Sequence, residues 1–130
     1  EIEDTRLYQN QNQLIQALLN IFNNAKDAFY INDIRYDKFV FVTTKIKKDK
    51  LMISIKDNAG GIKNEIISKI FDPYFTTKHQ AVGTGIGLYI THKIITKNFG
   101  GEISVKNSIF TYDNIEYKGA EFLITLNLKY

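Results

Sequence analysis

The 130-residue sequence lacks several residue types that common scaffolds and sites require. It has no cysteine, which excludes disulfides, thiolate metal sites and cysteine nucleophiles. Its two histidines, His79 and His92, are too few for an ordinary zinc site. No apolar run approaches the roughly 18 residues of a membrane-spanning helix, and no signal-peptide pattern opens the chain. We therefore expect a cytoplasmic domain that makes no direct membrane contact.

The remaining composition is that of an ordinary globular protein. Hydrophobic residues make up 44% of the chain and charged residues 24%, which is too apolar for an intrinsically disordered segment. The length suits one domain, so we expect residues 1–130 to form a single folded unit. There is one proline, and the sequence shows no internal repeat or low-complexity tract.

A net charge of +3 and a pI near 9.0 raise the question of nucleic-acid binding. The densest basic run, formed by Lys45, Lys47, Lys48 and Lys50, surrounds Asp49 where a hairpin turn is predicted. A solvated turn explains such a run without any ligand. We therefore expect no nucleic-acid partner.

Hydrophobic periodicity predicts helices and strands in a regular order. Apolar residues recur at helical spacing from Asn12, a good N-cap residue, to about Tyr30. The later pattern predicts strands over Phe39–Ile46 and Leu51–Asp57, a short helix over Asn64–Ile70, a helix from about Gly85 to Asn98, and two or three strands within Glu102–Asn107, Ile109–Tyr117 and Glu121–Leu128. This order predicts an α/β fold, a two-layer α/β sandwich with a mixed β-sheet and about three helices on one face.

Two asparagines lie one turn apart on the first predicted helix. Asparagine is a poor residue for a helix interior, so the presence of Asn20 and Asn24 on one face needs a reason. Amide oxygens are hard ligands that suit magnesium. On the helix alone, however, a solvated polar face is the simpler explanation.

A carboxylate and two glycines follow the second predicted strand. Asp57 is placed to accept a hydrogen bond from an exocyclic amine such as that of adenine. Gly60 and Gly61 would let a flat ring approach the backbone closely. A simple aspartate-initiated turn explains the same residues, and taken alone it is the simpler interpretation.

The segment from Phe71 to Gly87 has no regular period, and long loops of this kind are often functional. Its aromatic part, Phe71–Lys78, either packs on the core or forms a lid, and Lys78 carries the charge to contact a terminal phosphate. Its glycine-rich part, Gly83–Leu88, directly precedes a helix, where backbone N–H groups favour an anion. The glycines match neither a P-loop nor a dinucleotide fingerprint, and a flexible hinge remains the alternative.

Together and in this order, the four motifs resemble those of the catalytic, ATP-binding domain of bacterial sensor histidine kinases. That family has the Bergerat ATP-binding fold, which it shares with DNA gyrase. The resemblance covers residues 10–128. The few residues between Lys78 and Gly83 make the chain similar to the subgroup with a short lid.

The resemblance implies ATP and Mg²⁺ as cofactors and gives individual residues their roles. Asn24 would bind the metal, Asn20 would support it and Lys78 would contact the γ-phosphate, and these are the three implied catalytic residues. Asp57 would take the adenine amino group, with Gly61 behind the ring. The residues implied to bind the nucleotide are Asn20, Asn24, Asp27, Asp57, Gly61, Ile62, Phe75, Thr76, Thr77, Gly83, Thr84, Gly85, Ile86, Gly87 and Leu88.

Some positions depart from the family pattern. Ala59 replaces a glycine of the usual Asp-x-Gly-x-Gly, Ala120 stands where many relatives have a threonine, and Asp27 and Ala28 stand where many have an aromatic or a basic residue. Hydrolysing relatives carry a glutamate at the position of Asn20, and an asparagine cannot act as a base. The resemblance therefore implies a site that holds ATP for transfer to another nucleophile.

The implied function is transfer of the γ-phosphoryl group to a histidine on a separate dimerisation domain of a parent kinase. Such a parent is dimeric, passes the phosphoryl group to a response regulator and can be membrane-anchored. Neither His79 nor His92 lies where that acceptor would be, so the domain alone should bind ATP and have nothing to phosphorylate. A non-catalytic nucleotide-binding interaction module of the same fold is the main alternative. A gyrase-type ATPase and a nucleic-acid binder are further ones.

Overall fold

The computed structural model describes residues 2–75 and 86–128, and within residues 2–10 only the backbone. The elements are α1 (Ile2–Ile31), β1 (Val40–Lys47), β2 (Lys50–Asp57), α2 (Asn64–Ile67), α3 (Gly87–Lys93), which continues into a turn of π-helix (Ile94–Asn98), β3 (Glu102–Tyr112) and β4 (Ile115–Asn127). No helix in these ranges is both long and apolar enough to cross a membrane.

The predicted two-layer α/β sandwich with three helices is confirmed, with one correction to the sheet. The described strands lie in the order β1-β2-β4-β3, and every pair of neighbours is antiparallel, so the expectation of a mixed sheet is wrong for these strands. The long connection from β2 to β3 does not create a parallel pair, because β4 lies between those two strands. A parallel pair requires such a crossover between direct neighbours.

Both hairpins turn through two residues with positive φ. Lys48 and Asp49 join β1 to β2, with φ of 51° and 63°, and Asp113 and Asn114 join β3 to β4, with φ of 52° and 64°. Two left-handed residues match the natural twist of paired strands. The second turn corrects the predicted strand over Ile109–Tyr117, because the chain reverses in its middle, where aspartate and asparagine tolerate the left-handed region.

The core lies between the helices and one face of the sheet. On α1 the buried residues Ala17, Ile21, Ala25 and Phe29 recur every four positions, as the helical periodicity predicts. Ala17 and Ile21 form one cluster with alternate residues of β2 and β4, of which Phe122 is 1% exposed and Ile124 fully buried. Ala25 and Phe29 form a second, smaller cluster with Ala59, in the turn after β2. The same alternation carries Asp57 of β2 onto the helix side of the sheet.

The helix formed by α3 and its π-helical turn ends at the predicted pair of glycines, Gly100 and Gly101. The Gly101 N–H donates to the Ile95 carbonyl at 2.8 Å, and Gly100 has a φ of +62°. The left-handed Gly100 turns the chain out of the helix, and the Gly101 N–H satisfies a carbonyl of the last turn. The chain then enters β3, so that α3 packs against α1 on the same side of the sheet.

Candidate functional site

Asn20 joins the two long helices. Its Nδ2 donates to the Gly87 carbonyl at the start of α3 at 3.1 Å, and its Oδ1 accepts from Gln16 Nε2 at 2.9 Å. The Gly87 carbonyl also accepts from the hydroxyl of Thr91, which is completely buried. The structure therefore gives the Asn20 amide a clear role in holding α1 to α3. Its predicted support of a metal remains a prediction.

Asn24 follows Asn20 by one turn on the same face of α1, where residues four apart are neighbours. Its side chain is half-buried and makes no hydrogen bond with the described residues. Asp27, also predicted to bind the nucleotide, is half-buried one turn further along. An amide oxygen without a hydrogen bond to the described residues is the kind of ligand that a magnesium ion would need here.

Asp57 is a buried carboxylate at the end of β2, only 4% exposed. Its Oδ1 accepts backbone hydrogen bonds from Ala59 at 2.9 Å and from Ala120 on the neighbouring strand at 3.2 Å. Burial raises the pKa of this carboxyl, and the two N–H groups lower it in part. A buried carboxylate with a perturbed pKa and a fixed orientation is the kind of group that marks a binding site.

The second oxygen of Asp57 has no hydrogen bond with the described residues. Within that part of the chain no completely buried side-chain oxygen lacks a partner, so Oδ2 keeps some exposure to solvent. Behind the carboxylate, Gly119 packs so closely that a Cβ atom there would overlap the Asp57 carbonyl oxygen. Asp57 is therefore held closely by Gly119, and its second oxygen remains partly accessible and without a hydrogen bond to the described residues.

The turn after Asp57 has the backbone shape that its glycines predict. Gly60 and Gly61 have φ of +100° and +84°, and the Gly60 N–H donates to the Lys118 carbonyl at 2.9 Å. Ala59, the departure from the family pattern, is 1% exposed and packs against Ala25 and Phe29 of α1. Its methyl group is accommodated by this small cluster, so the alanine leaves the turn intact.

Three further residues that were predicted to bind the nucleotide take part in packing. Ile62, Phe75 and Leu88 are partly buried against the main core. Ile86 and Gly87 lead into α3, and both are half-buried. The predicted residues Thr76, Thr77, Lys78, Gly83, Thr84 and Gly85 lie outside the described residues.

Sequence reasoning missed several polar residues that hold the Asp57 turn. The completely buried Asn58 accepts from the Phe39 N–H and donates to the Asp37 carbonyl, both at 2.8 Å. The Tyr36 hydroxyl donates to the Asn58 carbonyl at 2.7 Å, and burial raises its pKa. These bonds fix the α1–β1 loop against the turn. No sequence pattern marked them, because Asn58 reads as an ordinary turn residue.

One missed residue did carry a signal. Asn107 follows Ile103 and Val105 at the period of two that places side chains on the helix side of β3, so a third apolar residue is expected there. Its side-chain amide makes two hydrogen bonds to the Ile62 backbone. A polar residue at an inward position of a strand requires a partner, and that requirement could have pointed to Asn107.

Among the described residues, His92 does not belong to a metal centre. The His92 ring is half-buried and lies 5.3 Å from the ring of Phe71, while His79 lies outside the described residues. In residues 2–75 and 86–128, no group of three or more histidine and acidic side chains is arranged to hold a metal. A magnesium ion at Asn24 would accordingly depend on phosphate and water for its other ligands.

Comparison with known proteins identifies the class to which this arrangement belongs. A family model for histidine kinase-, DNA gyrase B- and HSP90-like ATPases matches residues 9–130, and the chain belongs to that family. Sensor histidine kinase ZraS of Salmonella typhi is 38% identical over 121 residues, which are 93% of this chain and 23% of that protein. Sporulation kinase E of Bacillus subtilis is 35% identical over 124 residues, which are 95% of this chain and 15% of that protein.

Solved structures agree with the sequence relatives. The catalytic domain of histidine kinase ThkA, in a nucleotide-free form, matches with a TM-score of 0.66 and 28% identity, over 89% of this chain and 66% of that one. The resemblance drawn from the motifs is thus confirmed, and the chain is an ATPase domain of the type found in sensor histidine kinases. It spans less than a quarter of the length of the curated relatives named above.

Proposed function

We propose that this chain binds Mg-ATP and transfers its γ-phosphoryl group to a histidine on a dimerisation domain of the parent kinase. In that reaction an imidazole nitrogen forms a bond to the γ-phosphorus, the bond to the bridging oxygen breaks and ADP leaves. The imidazole proton goes to solvent. The parent kinase would be a dimer that passes the phosphoryl group to a response regulator.

The observation that carries the proposal is the arrangement of Asp57. Its Oδ1 is fixed by two backbone N–H groups, while Oδ2 has no hydrogen bond to the described residues and precedes a turn whose two glycines have positive φ. An ionised carboxylate oxygen in this place suits the exocyclic amine of adenine, and the glycine backbone leaves room for a flat ring. The raised pKa of Asp57 leaves this assignment intact as long as the carboxyl is ionised at the pH of binding.

The phosphate end of the nucleotide would lie towards Asn24 and the start of α3. The unused amide of Asn24 fits a magnesium ion that takes its remaining ligands from phosphate oxygens and water. When bound, the ion would neutralise charge on the phosphates. Asn24 would hold it in position, and Asn20 would keep α1 and α3 together through its bond to Gly87.

The site contains no base at the position of Asn20, and transfer does not demand one. Phosphoryl transfer is catalysed mainly by positioning and by charge neutralisation. Asn20 also has both ends of its amide engaged, with Gln16 and Gly87. The chain is therefore suited to hold ATP until a nucleophile from another domain arrives, and it should hydrolyse ATP slowly by itself.

The test is a transfer assay in trans. The chain would be mixed with γ-labelled ATP, magnesium and a purified histidine-containing dimerisation domain from a sensor kinase relative. We expect label on the acceptor histidine, none on an acceptor whose histidine is alanine, and a loss of at least tenfold in rate for Asn24→Ala. The matched control is Asn98→Ala, because Asn98 bonds to Gln13 instead of to the site.

Two results of this assay would count against the proposal. Tight ATP binding without transfer to any of several acceptor domains would favour the non-catalytic interaction module. Rapid release of inorganic phosphate by the chain alone would favour a gyrase-type ATPase.

A further inference from the structure

The side chain of Asn107 makes the hydrogen bonds that the Ile62 backbone, in the turn after Asp57, would otherwise lack. Its Oδ1 accepts from the Ile62 N–H at 2.7 Å and its Nδ2 donates to the Ile62 carbonyl at 2.6 Å. One side chain thus satisfies both backbone groups of one residue, as a neighbouring strand would do. Within the described residues, Ile62 has no backbone partner of its own.

The same side chain limits how far the turn can move. A Cβ atom built on Gly61 would stand 2.8 Å from Asn107 Oδ1 and 3.1 Å from Lys118 Cε. Gly61 is therefore pressed against Asn107 in a conformation, φ +84°, that other residues rarely adopt. On the other side of Gly61, the Gly60 N–H bonds to the Lys118 carbonyl. The segment Gly60–Ile62 is fixed between these two attachments.

Asn107 is also tied to Asp57 through the sheet. Asn107 lies opposite Ala120 in the pairing of β3 with β4, and the Ala120 N–H donates to Asp57 Oδ1 at 3.2 Å. The strand that carries Ala120 therefore stands between the carboxylate and the amide. This arrangement fixes the position of the Ile62 backbone relative to the Asp57 carboxylate.

We infer that Asn107 is a positioning residue that sets base specificity by holding Gly61 and Ile62 at a fixed distance from Asp57. The inference rests on the proposed function, in which Asp57 recognises the adenine amine and Gly61 lies behind the ring. If a single carboxylate distinguishes one base from another, the base must be held in one position relative to that carboxylate. The backbone held by Asn107 would supply that restraint.

The inference predicts a particular pattern of losses. Asn107→Ala should weaken ADP binding by about tenfold, the equivalent of about 1.4 kcal/mol. It should also lower the ratio of the dissociation constants for IDP and ADP severalfold. A base that can shift in the site can move the oxygen of IDP away from the Asp57 carboxylate, so the repulsion costs less binding free energy. The effect of magnesium on ADP affinity should not change, because Asn24 is untouched.

The ratio of the dissociation constants for IDP and ADP distinguishes a positioning role of Asn107 from a loss of folded protein. A variant that merely unfolds in part loses the same fraction of sites for both nucleotides, so its IDP/ADP ratio stays at the wild-type value. Asn107→Asp serves as the second variant, because it has nearly the same size and keeps the oxygen that accepts from Ile62. It places an acceptor beside the Ile62 carbonyl, so we expect the ratio to fall in this variant as well.

The measurement is calorimetric titration of the full chain with ADP and with IDP for wild type, Asn107→Ala, Asn107→Asp and the control Asn98→Ala. A lowered ratio in both Asn107 variants and an unchanged ratio in the control would support the inference. An unchanged ratio in a folded Asn107 variant would overturn it while leaving the proposed function intact. No binding of ADP to the wild-type chain would overturn the proposed function and this inference together.

Discussion

Replacing Asp57 with asparagine should make the protein more stable and the nucleotide site weaker. The structure shows why the two effects separate. Asparagine retains an oxygen that can accept the bonds from Ala59 and Ala120, so the frame of the site is kept. What changes is the oxygen at the surface, which becomes an NH₂ group, and the charge, which is lost.

The expected loss of affinity follows from the hydrogen bond that Oδ2 would make to the adenine amine. A hydrogen bond to a charged group contributes about 1.5–3 kcal/mol, so Asp57→Asn should weaken ADP binding by about 10- to 150-fold. Since two donors would then face each other, the upper part of that range is expected. Binding of IDP, which presents an oxygen at the same place, should fall much less or rise.

The expected gain in stability follows from the burial of the charge. Burial raises the pKa of Asp57 in the folded state, so the folded protein holds this proton more tightly than the unfolded chain does. The contribution of Asp57 to stability therefore falls as pH rises from the ordinary carboxyl range through the raised pKa. Asp57→Asn has no carboxyl to ionise and does not lose stability in this way. The difference in free energy of unfolding between Asp57→Asn and wild type should therefore grow towards pH 7 and vanish at acid pH.

Urea unfolding of both proteins between pH 4 and pH 7.5, together with ADP and IDP titrations, would test these expectations. Far-UV circular dichroism would check that the variant retains the fold. A variant that is less stable than wild type at pH 7, or that binds ADP as tightly, would refute the reasoning about this carboxylate.

Two further substitutions test the frame of the site and the core. Gly119→Ala places a methyl group on the Asp57 carbonyl and should cost about 1–3 kcal/mol or more in urea unfolding, whereas Gly87→Ala, whose Cβ would meet Asn20 only at 3.8 Å, should leave stability near the wild-type value. Equal midpoints for the two variants would contradict this. Phe122→Ala, at a residue 1% exposed, should cost about 3–5 kcal/mol in the same assay, and a cost near that of a surface change would contradict the proposed core.

Elements with strong local signals could be predicted from the sequence. The apolar stripe of α1, the Gly100–Gly101 helix end and the hairpin around Asp49 all occur where local periodicity or turn chemistry places them. The end of β3 near Asp113 was harder to predict from the sequence, because β-branched and aromatic residues flank a two-residue turn that contains no glycine. The sheet pattern could not be read at all, since strand order depends on contacts between residues far apart in sequence.

The motifs of the candidate site can be read from the sequence, whereas the contacts that support them cannot. Asp57 and the glycines after it form a short local pattern, so their chemistry could be anticipated. Asn107 reaches Ile62 from 45 positions away, and Asn20 reaches Gly87 from 67, and such bonds depend on how the chain folds. Motifs predict which residues meet a ligand, whereas the contacts that hold those residues appear only in the folded structure.

The central claim is that the chain binds ATP with its metal, and calorimetry tests it most directly. The full chain would be titrated with a non-hydrolysable ATP analogue, with and without magnesium, alongside Asn24→Ala and Asn98→Ala. We expect one site per chain, tighter binding with magnesium, and loss of the magnesium effect in Asn24→Ala only. Absence of binding by the wild-type chain, or equal binding of the corresponding GTP analogue, would contradict the claim.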